Sequence, residues 1–389
     1  MVRLTRPLSA NEYAVLAQLF SGVLTKPELA TRVGLSKPAL GELIGRLEAA
    51  GIVSEAGESN APRRGPNARQ YAASGTLGTV AGVEIQPGVG TACVADITGA
   101  LLGEAAYRAG EAASPVELAA GAVREACLRA GMDAAALDVV VVGTPGIVGP
   151  AGDIVFVHGH PGWRDGRHRA LAEILGCEVL LENDLNLAVL AEHRLGSGAG
   201  TESLALVRCG GIGAAFIVNG ALLRGAHGCA GELGLAPFSA EPDTRPHPAS
   251  QEAFQAVLSG LGLEGAPLED LLADPALHPE ANDTVLAEIA SRCALVCLTV
   301  CAVVDPDRIV LAGPLADAGG GRLLSAVEAR IAEVSPLRTE IRASEFGDRA
   351  VVAGALLSGL DRLRTAVYGE AAGRIPAPDR LPESWRHPS

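Results

Sequence analysis

Charged and polar side chains near the start of the chain are spaced so that they could bind nucleic acid. The stretch from Thr25 to Gly51 has the pattern of two short helices joined by a tight glycine turn. In the second helix, apolar residues recur at i, i+3, i+4 and i+7, which buries one face: Leu40, Leu43, Ile44 and Leu47. Its start and its outward face hold Ser36, Lys37, Pro38, Glu42 and Arg46. Side chains on such a face reach base edges in the major groove, so the spacing predicts a DNA-binding helix-turn-helix.

A pair of short strands is predicted directly after these helices. The strands are residues 52–55 and 70–73, and the loop between them carries Arg63, Arg64 and Arg69. Guanidinium groups on such a wing can contact phosphate or enter a minor groove. We therefore expect residues 1–74 to form a winged helix-turn-helix domain that binds operator DNA.

Capping motifs mark the helix starts in the same segment. Ser9 is followed three residues later by Glu12, and Thr25 by Glu28, so both pairs match the capping box. These motifs predict helices that begin near residues 10 and 26, and Ser36 is the predicted cap of the third helix.

Charge is unevenly distributed along the 389 residues. Residues 1–72 have a balance of +3, whereas the remainder has a balance of −17, which gives the chain its net charge of −14. A mildly basic segment ahead of an acidic body suits a DNA-binding protein with a separate regulatory or catalytic part, because phosphate attraction is local. The length leaves room for two or three domains.

The sequence indicates neither a membrane segment nor a disulfide framework. The longest apolar run, residues 294–304, is shorter than the roughly 20 residues that a spanning helix needs, and Asp305 and Pro306 follow it. We expect no signal segment at the start. The 8 cysteines form no CxxC or CxC pair, so we expect reduced thiols in a cytoplasmic protein.

From residue 79 onward, apolar strands alternate with alanine-rich helices. The predicted strands are residues 80–85, 91–97, 139–142, 204–207 and 214–218. The predicted helices are residues 115–130, 167–175, 187–195 and 283–304. This alternation predicts an α/β body, and residues 371–389 are expected to be a loose tail.

Several short motifs occur in a fixed order along this body. They are Gly143-Thr-Pro-Gly146 with His160-Pro-Gly-Trp-Arg164, Glu182-Asn-Asp-Leu-Asn186, Gly210-Gly-Ile-Gly213, Asn219-Gly220, Arg224-Gly-Ala-His-Gly-Cys-Ala-Gly-Glu-Leu-Gly234, and Asp305-Pro306 before residues 309–313. Each motif alone is weak. The ordered set resembles the ROK family of repressors and sugar kinases over nearly the whole chain.

The resemblance implies a two-lobed actin-like or ribonuclease-H-like body, usually dimeric, with a hexose-type ligand in the cleft between the lobes. It divides the body into a first lobe at 78–195, completed by 350–370, and a second lobe at 196–349. Four residues match family positions that bind sugar hydroxyls: Asn183, Asp184, Glu232 and Glu252. Asp184 matches the general base of the kinases. Carboxylates and an amide that converge on vicinal hydroxyls would provide specificity.

Kinase members of the family also need a nucleotide site, and here the sequence departs from their pattern. In the kinases an acidic residue is followed by Gly-Gly-Thr, and the corresponding stretch here is Glu84-Ile85-Gln86-Pro87-Gly88. Glutamine thus replaces a glycine, and proline lacks a backbone N–H donor. Gly210 stands where the second phosphate loop has a threonine. These losses predict that ATP is not bound, that kinase activity is lost, and that the protein is not an enzyme.

The resemblance also implies a structural zinc site in many members, and its ligands are missing here. Leu235 stands where those members have a histidine, and residues 236–251 contain no cysteine. We therefore expect no metal and no cofactor.

Together these observations lead to the hypothesis of a ROK-type transcriptional regulator, favoured as a repressor in carbohydrate metabolism. Its expected partners are operator DNA, a small sugar-like effector and further copies of itself in a homodimer or tetramer, with no membrane partner. Three alternatives stay open. They are a sugar kinase that phosphorylates a hexose with ATP, an effector-independent regulator, and a sugar-binding protein whose helix-turn-helix docks on another protein.

Overall fold

A computed structural model describes residues 7–58, 68–110, 113–156, 167–211, 213–235, 251–336 and 339–369 of the chain. The chain divides into two compact units. Unit 1 is Met1–Thr144, Val157–Glu182 and Ala355–Ser389, and unit 2 is Pro145–Phe156 and Asn183–Gly354. Both units therefore consist of segments that are distant in sequence.

The first part of unit 1, which we call the head (residues 7–74), contains three helices and a small sheet. Its elements are α1 (Ala10–Phe20), β1 (Leu24–Thr25), α2 (Lys26–Val33), α3 (Lys37–Ala49), β2 (Val53–Glu58) and β3 (Arg69–Ala73). The strands pair antiparallel in the order β1-β3-β2. The helices begin where the capping motifs predict, because Ser9, Thr25 and Ser36 each accept a hydrogen bond from the backbone N–H three residues on.

An apolar core of its own holds the head together. The four apolar residues predicted to face inward on α3 are all buried: Leu40, Leu43, Ile44 and Leu47. Val15 and Leu16 of α1 are fully buried as well, and Tyr71 of β3 is 2% exposed. The 3.6-residue periodicity of α3 therefore predicted its buried face correctly.

The body follows the head. Its elements in chain order are β4 (Thr79–Gln86), β5 (Val89–Asp96), β6 (Leu101–Arg108), α4 (Pro115–Arg129), β7 (Val139–Thr144), β8 (Ile147–Val148), β9 (Ile154–Phe156), α5 (Arg167–Leu175), β10 (Glu178–Asn183), α6 (Asp184–Leu195), β11 (Leu204–Arg208), β12 (Gly213–Val218), β13 (Ala221–Leu222), α7 (Gln251–Gly260), α8 (Leu268–Ala273), α9 (Pro279–Val304), β14 (Arg308–Ala312), α10 (Pro314–Val334), β15 (Glu340–Ala343) and α11 (Ala350–Tyr368).

Each unit is built around a five-stranded sheet with the same plan. The strand order is β10-β7-β4-β5-β6 in unit 1 and β13-β12-β11-β14-β15 in unit 2. In each, three consecutive strands form an antiparallel meander, and the first of them pairs in parallel with a later strand. The predicted mixed α/β body is therefore present, and its plan occurs twice.

Helix α9 lies in the core of unit 2. It is the one described helix that is long and apolar enough to cross a membrane, with a mean hydropathy of 1.9 over its most apolar window. Its residues Cys293, Cys297 and Val300 are buried among the strands and helices of unit 2. The buried face of α9 is thus part of the core of a globular unit.

Helix α11 attaches the head to the rest of unit 1 through a buried arginine. Arg364 is 1% exposed. Its Nε donates to the carbonyl of Ile97 at 3.0 Å, and its Nη2 donates to the carbonyl of Thr98 at 3.1 Å. The guanidinium carbon lies 4.3 Å from the ring centroid of Phe20 in α1. One side chain of α11 therefore contacts both the head and the turn between β5 and β6.

Tyrosines add a second contact between α1 and the end of α11. The Tyr13 hydroxyl donates to the backbone carbonyl of Tyr368. The Tyr368 ring packs edge-on against Phe20, with ring centroids 6.2 Å apart. The head is thus held against the last turns of α11 by aromatic packing and by a hydrogen bond.

Candidate functional site

The start of α6 carries the two neighbouring residues that were predicted to bind sugar hydroxyls. Asn183 is the N-cap of this helix, and its Oδ1 accepts a hydrogen bond from the backbone N–H of Asn186 at 3.0 Å. Its Nδ2 donates to the carbonyl of Gly146 at 3.0 Å. The Asn183 side chain therefore fixes both the helix start and the segment that begins unit 2.

Asp184 is the first residue of α6 and is paired with an arginine. One carboxylate oxygen accepts from the backbone N–H of Leu185 at 2.9 Å, and the other lies 3.4 Å from Nη1 of Arg208. The Asp184 side chain is 15% exposed and that of Arg208 is 42% exposed. Burial raises the pKa of the Asp184 carboxyl, while the guanidinium and the backbone hydrogen bond lower it in part. A carboxylate in this setting can take up a proton, or accept a hydrogen bond from a ligand hydroxyl.

Arg208 is the residue of this site that the sequence analysis missed. It ends the buried strand β11 and stands directly before the turn at residues 209–211. A charged residue directly after the apolar run Leu204-Ala-Leu-Val207 was the available signal. Its contact with Asp184, 24 positions earlier in the sequence, could not be inferred from the residues alone.

Helix α6 is anchored at its far end by a buried carboxylate. Glu192 is fully buried. It accepts hydrogen bonds from the Ser344 hydroxyl at 2.5 Å, from the backbone N–H groups of Glu345 and Phe346 at 2.9 and 3.1 Å, and from that of Ser197 at 2.9 Å. Burial raises the pKa of the Glu192 carboxyl against these bonds. Because Asp184 lies on the same helix, this network fixes the direction in which α6 presents it.

The two other predicted sugar ligands lie elsewhere in unit 2. Glu232 is half-buried in the turn after β13. This turn is pressed against β12, because a Cβ on Gly231 would overlap the carbonyl oxygen of Ala214. Glu252 belongs to the first turn of α7, and its side chain lies outside the described residues. The roles of Asn183, Asp184, Glu232 and Glu252 in binding sugar stay predictions.

The segment that corresponds to the second phosphate loop of the kinases is closely packed at Gly210. Gly210 has a φ of +85°, and a Cβ on it would lie 2.8 Å from Cγ of Leu315 in α10. Leu315 thus occupies the space that a threonine side chain at position 210 would need. Glycine, like every residue except proline, supplies a backbone N–H donor at this position.

In the head, the start and outer face of α3 carry the residues that were predicted to contact DNA. Ser36 caps the helix by accepting from the backbone N–H of Ala39 at 3.4 Å. Lys37, Pro38 and Glu42 are exposed. These exposed side chains are accessible to a bound DNA duplex.

Arg46, also predicted to contact DNA, has a partner inside the head. Its Nε lies 3.6 Å from the carboxylate of Glu12, which is 1% exposed and also caps α1. The Arg46 side chain is 54% exposed, so it lies at the surface while its stem is held against α1.

Only one of the three predicted wing arginines can be placed. Arg69 begins β3, and its Nη1 lies 3.1 Å from the Glu55 carboxylate of β2. Arg63 and Arg64 lie outside the described residues. The contribution of all three to DNA binding stays a prediction.

The zinc ligands implied by the resemblance do not fit the residues present. Leu235 is 54% exposed and offers no ligand atom where a histidine would stand. Within the described parts of the chain, no group of three or more His, Cys, Asp or Glu side chains could hold a metal ion.

Sugar kinases are prominent among the proteins that this chain is similar to. The bifunctional enzyme NanE/NanK of Brucella melitensis biotype 1 is 28% identical over 194 residues, which cover 48% of this chain and 36% of that protein. The chain thus spans about a third of the length of this curated relative. The solved ROK hexokinase of Thermus thermophilus is 25% identical with a TM-score of 0.60, covering 72% of this chain and 97% of the hexokinase.

These similarities contradict the prediction that the protein is not an enzyme. Shorter matches carry the names glucokinase and beta-glucoside kinase, so the named relatives point toward enzyme activity. The prediction gave three altered positions in two loops, Gln86, Pro87 and Gly210, more weight than the similarity of the whole body. Phosphate is held largely by backbone N–H groups, and a glycine at position 210 keeps that donor.

A regulator is also similar, over a larger part of the chain. The solved ROK family transcriptional regulator described as a homolog of the E. coli MLC protein is 18% identical with a TM-score of 0.67, and it covers 94% of this chain and 97% of its own. This likeness shows a shared fold. The sequence model of the ROK family matches residues 80–358. The match covers both five-stranded sheets and the Asn183–Asp184 site, and the chain belongs to the ROK family.

Proposed function

We propose that the chain is a sequence-specific DNA-binding transcriptional regulator, favoured as a repressor, whose ROK body binds a sugar or sugar derivative that controls it. The protein acts in the cytoplasm as a homodimer or tetramer. Its head is a winged helix-turn-helix that binds operator DNA.

The single observation that carries this proposal is the head. It precedes the region of the family match, which begins at residue 80. It buries one face of α3 and exposes the opposite one, including Lys37 and Glu42. A basic balance of +3 over residues 1–72 accompanies it in a chain of net charge −14. An exposed helix face in a locally basic domain is the arrangement that major-groove recognition requires.

The extent of the structural similarities supports the same proposal. The regulator covers 94% of this chain, whereas the Thermus hexokinase covers 72%. In a two-fold dimer, two heads would bind inverted half-sites about one or two helical turns apart. A ligand at Asp184 would change DNA affinity only as far as it binds the two states of the protein differently.

The proposal is tested by selecting fragments of the source genome on the purified full chain at about 150 mM salt, where non-specific phosphate contacts are weakened. The expected result is enrichment of a common inverted repeat. Uniform recovery of fragments, with and without a panel of sugars, would overturn operator binding.

Two variants of the head separate base recognition from general charge. Lys37→Ala removes a cation at the start of α3, and Arg32→Ala removes an exposed cation near the end of α2. We expect Lys37→Ala to lower the preference for the enriched repeat by about 1–3 kcal/mol, while Arg32→Ala weakens binding to all DNA alike. Equal effects of both variants on specificity would contradict recognition through α3.

Sugar phosphorylation by the body is a second candidate, favoured by the kinase relatives and by Asp184. A partly buried carboxylate at the start of α6 can serve as the general base that activates a sugar hydroxyl. The test is transfer of phosphate from Mg-ATP to a panel of hexoses, with Asp184→Asn as the control. Turnover by the unmodified chain that is lost in the variant would support a kinase. Equal background in both would exclude it.

A further inference from the structure

Arg208 gives the sugar site a positive charge next to its central carboxylate. Its Nη1 lies 3.4 Å from Oδ2 of Asp184, and both residues belong to unit 2. The Arg208 side chain is 42% exposed, whereas that of Asp184 is 15% exposed. A guanidinium has five N–H donors in a planar fork, and only Nη1 of this partly exposed arginine contacts Asp184, so other donors can bind a ligand.

Two glycines, Gly211 and Gly313, lie close to the side chain of this arginine. A Cβ on Gly211 would lie 3.3 Å from Nε of Arg208, and a Cβ on Gly313 would lie 3.0 Å from its Cγ. Any larger residue at either position would crowd the arginine stem. The two glycines, which lie in the turn after β11 and directly before α10, therefore leave the space that the Arg208 side chain occupies beside Asp184.

The ion pair restricts which ligands suit the site. A neutral sugar hydroxyl that donates to Asp184 must share this carboxylate with Arg208. A ligand that also carries an anionic group supplies the guanidinium with an acceptor of its own, and bidentate arginine contacts to phosphate or carboxylate are among the strongest hydrogen bonds in proteins. Such a ligand satisfies both members of the pair.

We propose that the ligand of this site is a sugar bearing an anionic group, and that Arg208 is the residue that selects for it. The shared chemistry is a hydroxyl for Asp184 close to a phosphate or carboxylate for Arg208. The inference rests on the proposed function only in placing a sugar-type ligand at Asp184. It does not depend on DNA binding.

The test is calorimetric titration of the full chain, without DNA, at fixed ionic strength. Glucose, mannose, galactose and their N-acetylamino forms are each offered as the neutral sugar, the 6-phosphate and the uronate, with inorganic phosphate as a separate probe. We expect at least one anionic form to bind about tenfold or more tightly than its neutral parent. Comparison of the phosphate and uronate series shows which anion is recognised.

Arg208→Met keeps the length of the stem and removes the charge. We expect this variant to lose the preference for the anionic form while its affinity for the neutral sugar is unchanged or higher. Arg342→Met is the matched control, because Arg342 is another exposed arginine of unit 2, 54% exposed and paired with Glu340. It should behave like the unmodified chain.

Three results would overturn the proposal. They are equal or tighter binding of neutral sugars, a preference for anions that persists in Arg208→Met, and the absence of binding by every anionic form. In the last two cases Arg208 serves only to neutralise Asp184. A chain that binds an anionic sugar but enriches no DNA motif would keep this inference and lose the proposed regulator.

Discussion

Replacing Arg364 tests whether the buried arginine of α11 holds the head in place. Arg364→Met retains most of the side-chain volume and removes the guanidinium that contacts Ile97, Thr98 and Phe20. The two hydrogen bonds from a charged donor contribute about 1.5–3 kcal/mol each. A desolvated cation–π contact contributes about 2 kcal/mol. The substitution also removes the free-energy cost of burying the charged guanidinium, which offsets part of this sum. We therefore expect the free energy of unfolding to fall by about 3 kcal/mol.

The matched control lies two residues earlier on the same helix. Arg362 is 45% exposed and forms its ion pair with Glu178 at 2.8 Å. Because exposed pairs contribute little, Arg362→Met should cost less than about 1 kcal/mol. Both variants remove one arginine from α11, so the difference between them isolates the buried contacts.

Two measurements check this prediction. Thermal unfolding should show a midpoint about 6–12 °C lower for Arg364→Met, given the usual shift of about 2–4 °C per kcal/mol for units of this size. Hydrogen exchange should accelerate in α1, on which Arg364 packs, and stay unchanged in α6. Equal stability of the two variants, or unchanged exchange in α1, would refute the reasoning.

Three further predictions concern single side chains. Asp184→Asn should raise the free energy of unfolding at pH 7 by roughly 0.5–2 kcal/mol, because the folded state raises the pKa of this carboxyl and so penalises its ionised form. In urea titrations this gain should vanish as the pH falls toward the unfolded pKa of about 3.9, and a gain that is constant down to pH 4 would contradict it. Glu12→Ala, which removes the buried capping carboxylate of α1, should destabilise the head by about 2 kcal/mol in hydrogen exchange, whereas exposed Glu48→Ala should change it by less than about 0.5 kcal/mol. Gly210→Thr should cost about 2 kcal/mol or more in thermal unfolding because of its φ of +85° and the proximity of Leu315, and a neutral effect would show that the loop can rearrange.

Local features of the fold were predictable from the sequence. Both capping boxes of the head set the start of a helix, because all their hydrogen bonds lie within three residues. The apolar runs that form β4, β7 and β11 were also identified. Strand β6 was missed, because Leu101–Arg108 is only partly buried and includes Glu104 and Arg108, so it lacks a continuous apolar run.

Helix α10 was missed for a different reason. It contains three consecutive glycines, and Gly320 has non-helical φ and ψ values of 48° and −140° inside it. Glycine runs normally indicate a loop, so the sequence pattern argued against a helix. The flanking helical segments pack Leu323, Val327 and Ile331 into the core of unit 2, and this tertiary burial outweighs the local preference.

The candidate site divides in the same way between local and distant contacts. Asn183 and Asp184 are adjacent in sequence, but the helix was predicted only from residue 187, so their position at the start of α6 was not predicted. The pairing of Asp184 with Arg208, and of Glu192 with Ser344, depends on contacts 24 and 152 positions apart. Sequence spacing carries no information on such pairs, so only the folded chain reveals them.

The contacts of the head with α11 can form only late during synthesis of the chain. Tyr13 and the Tyr368 carbonyl that it contacts are separated by 355 positions, and Arg364 is reached almost as late. The ribosome makes the N-terminal segment first, and domains generally fold in the order in which they emerge. The head can bury its own core early, but its support on α11 is absent until almost the whole body has been made. A chain that stops short of residue 364 would therefore carry a folded head without the contacts that fix its position.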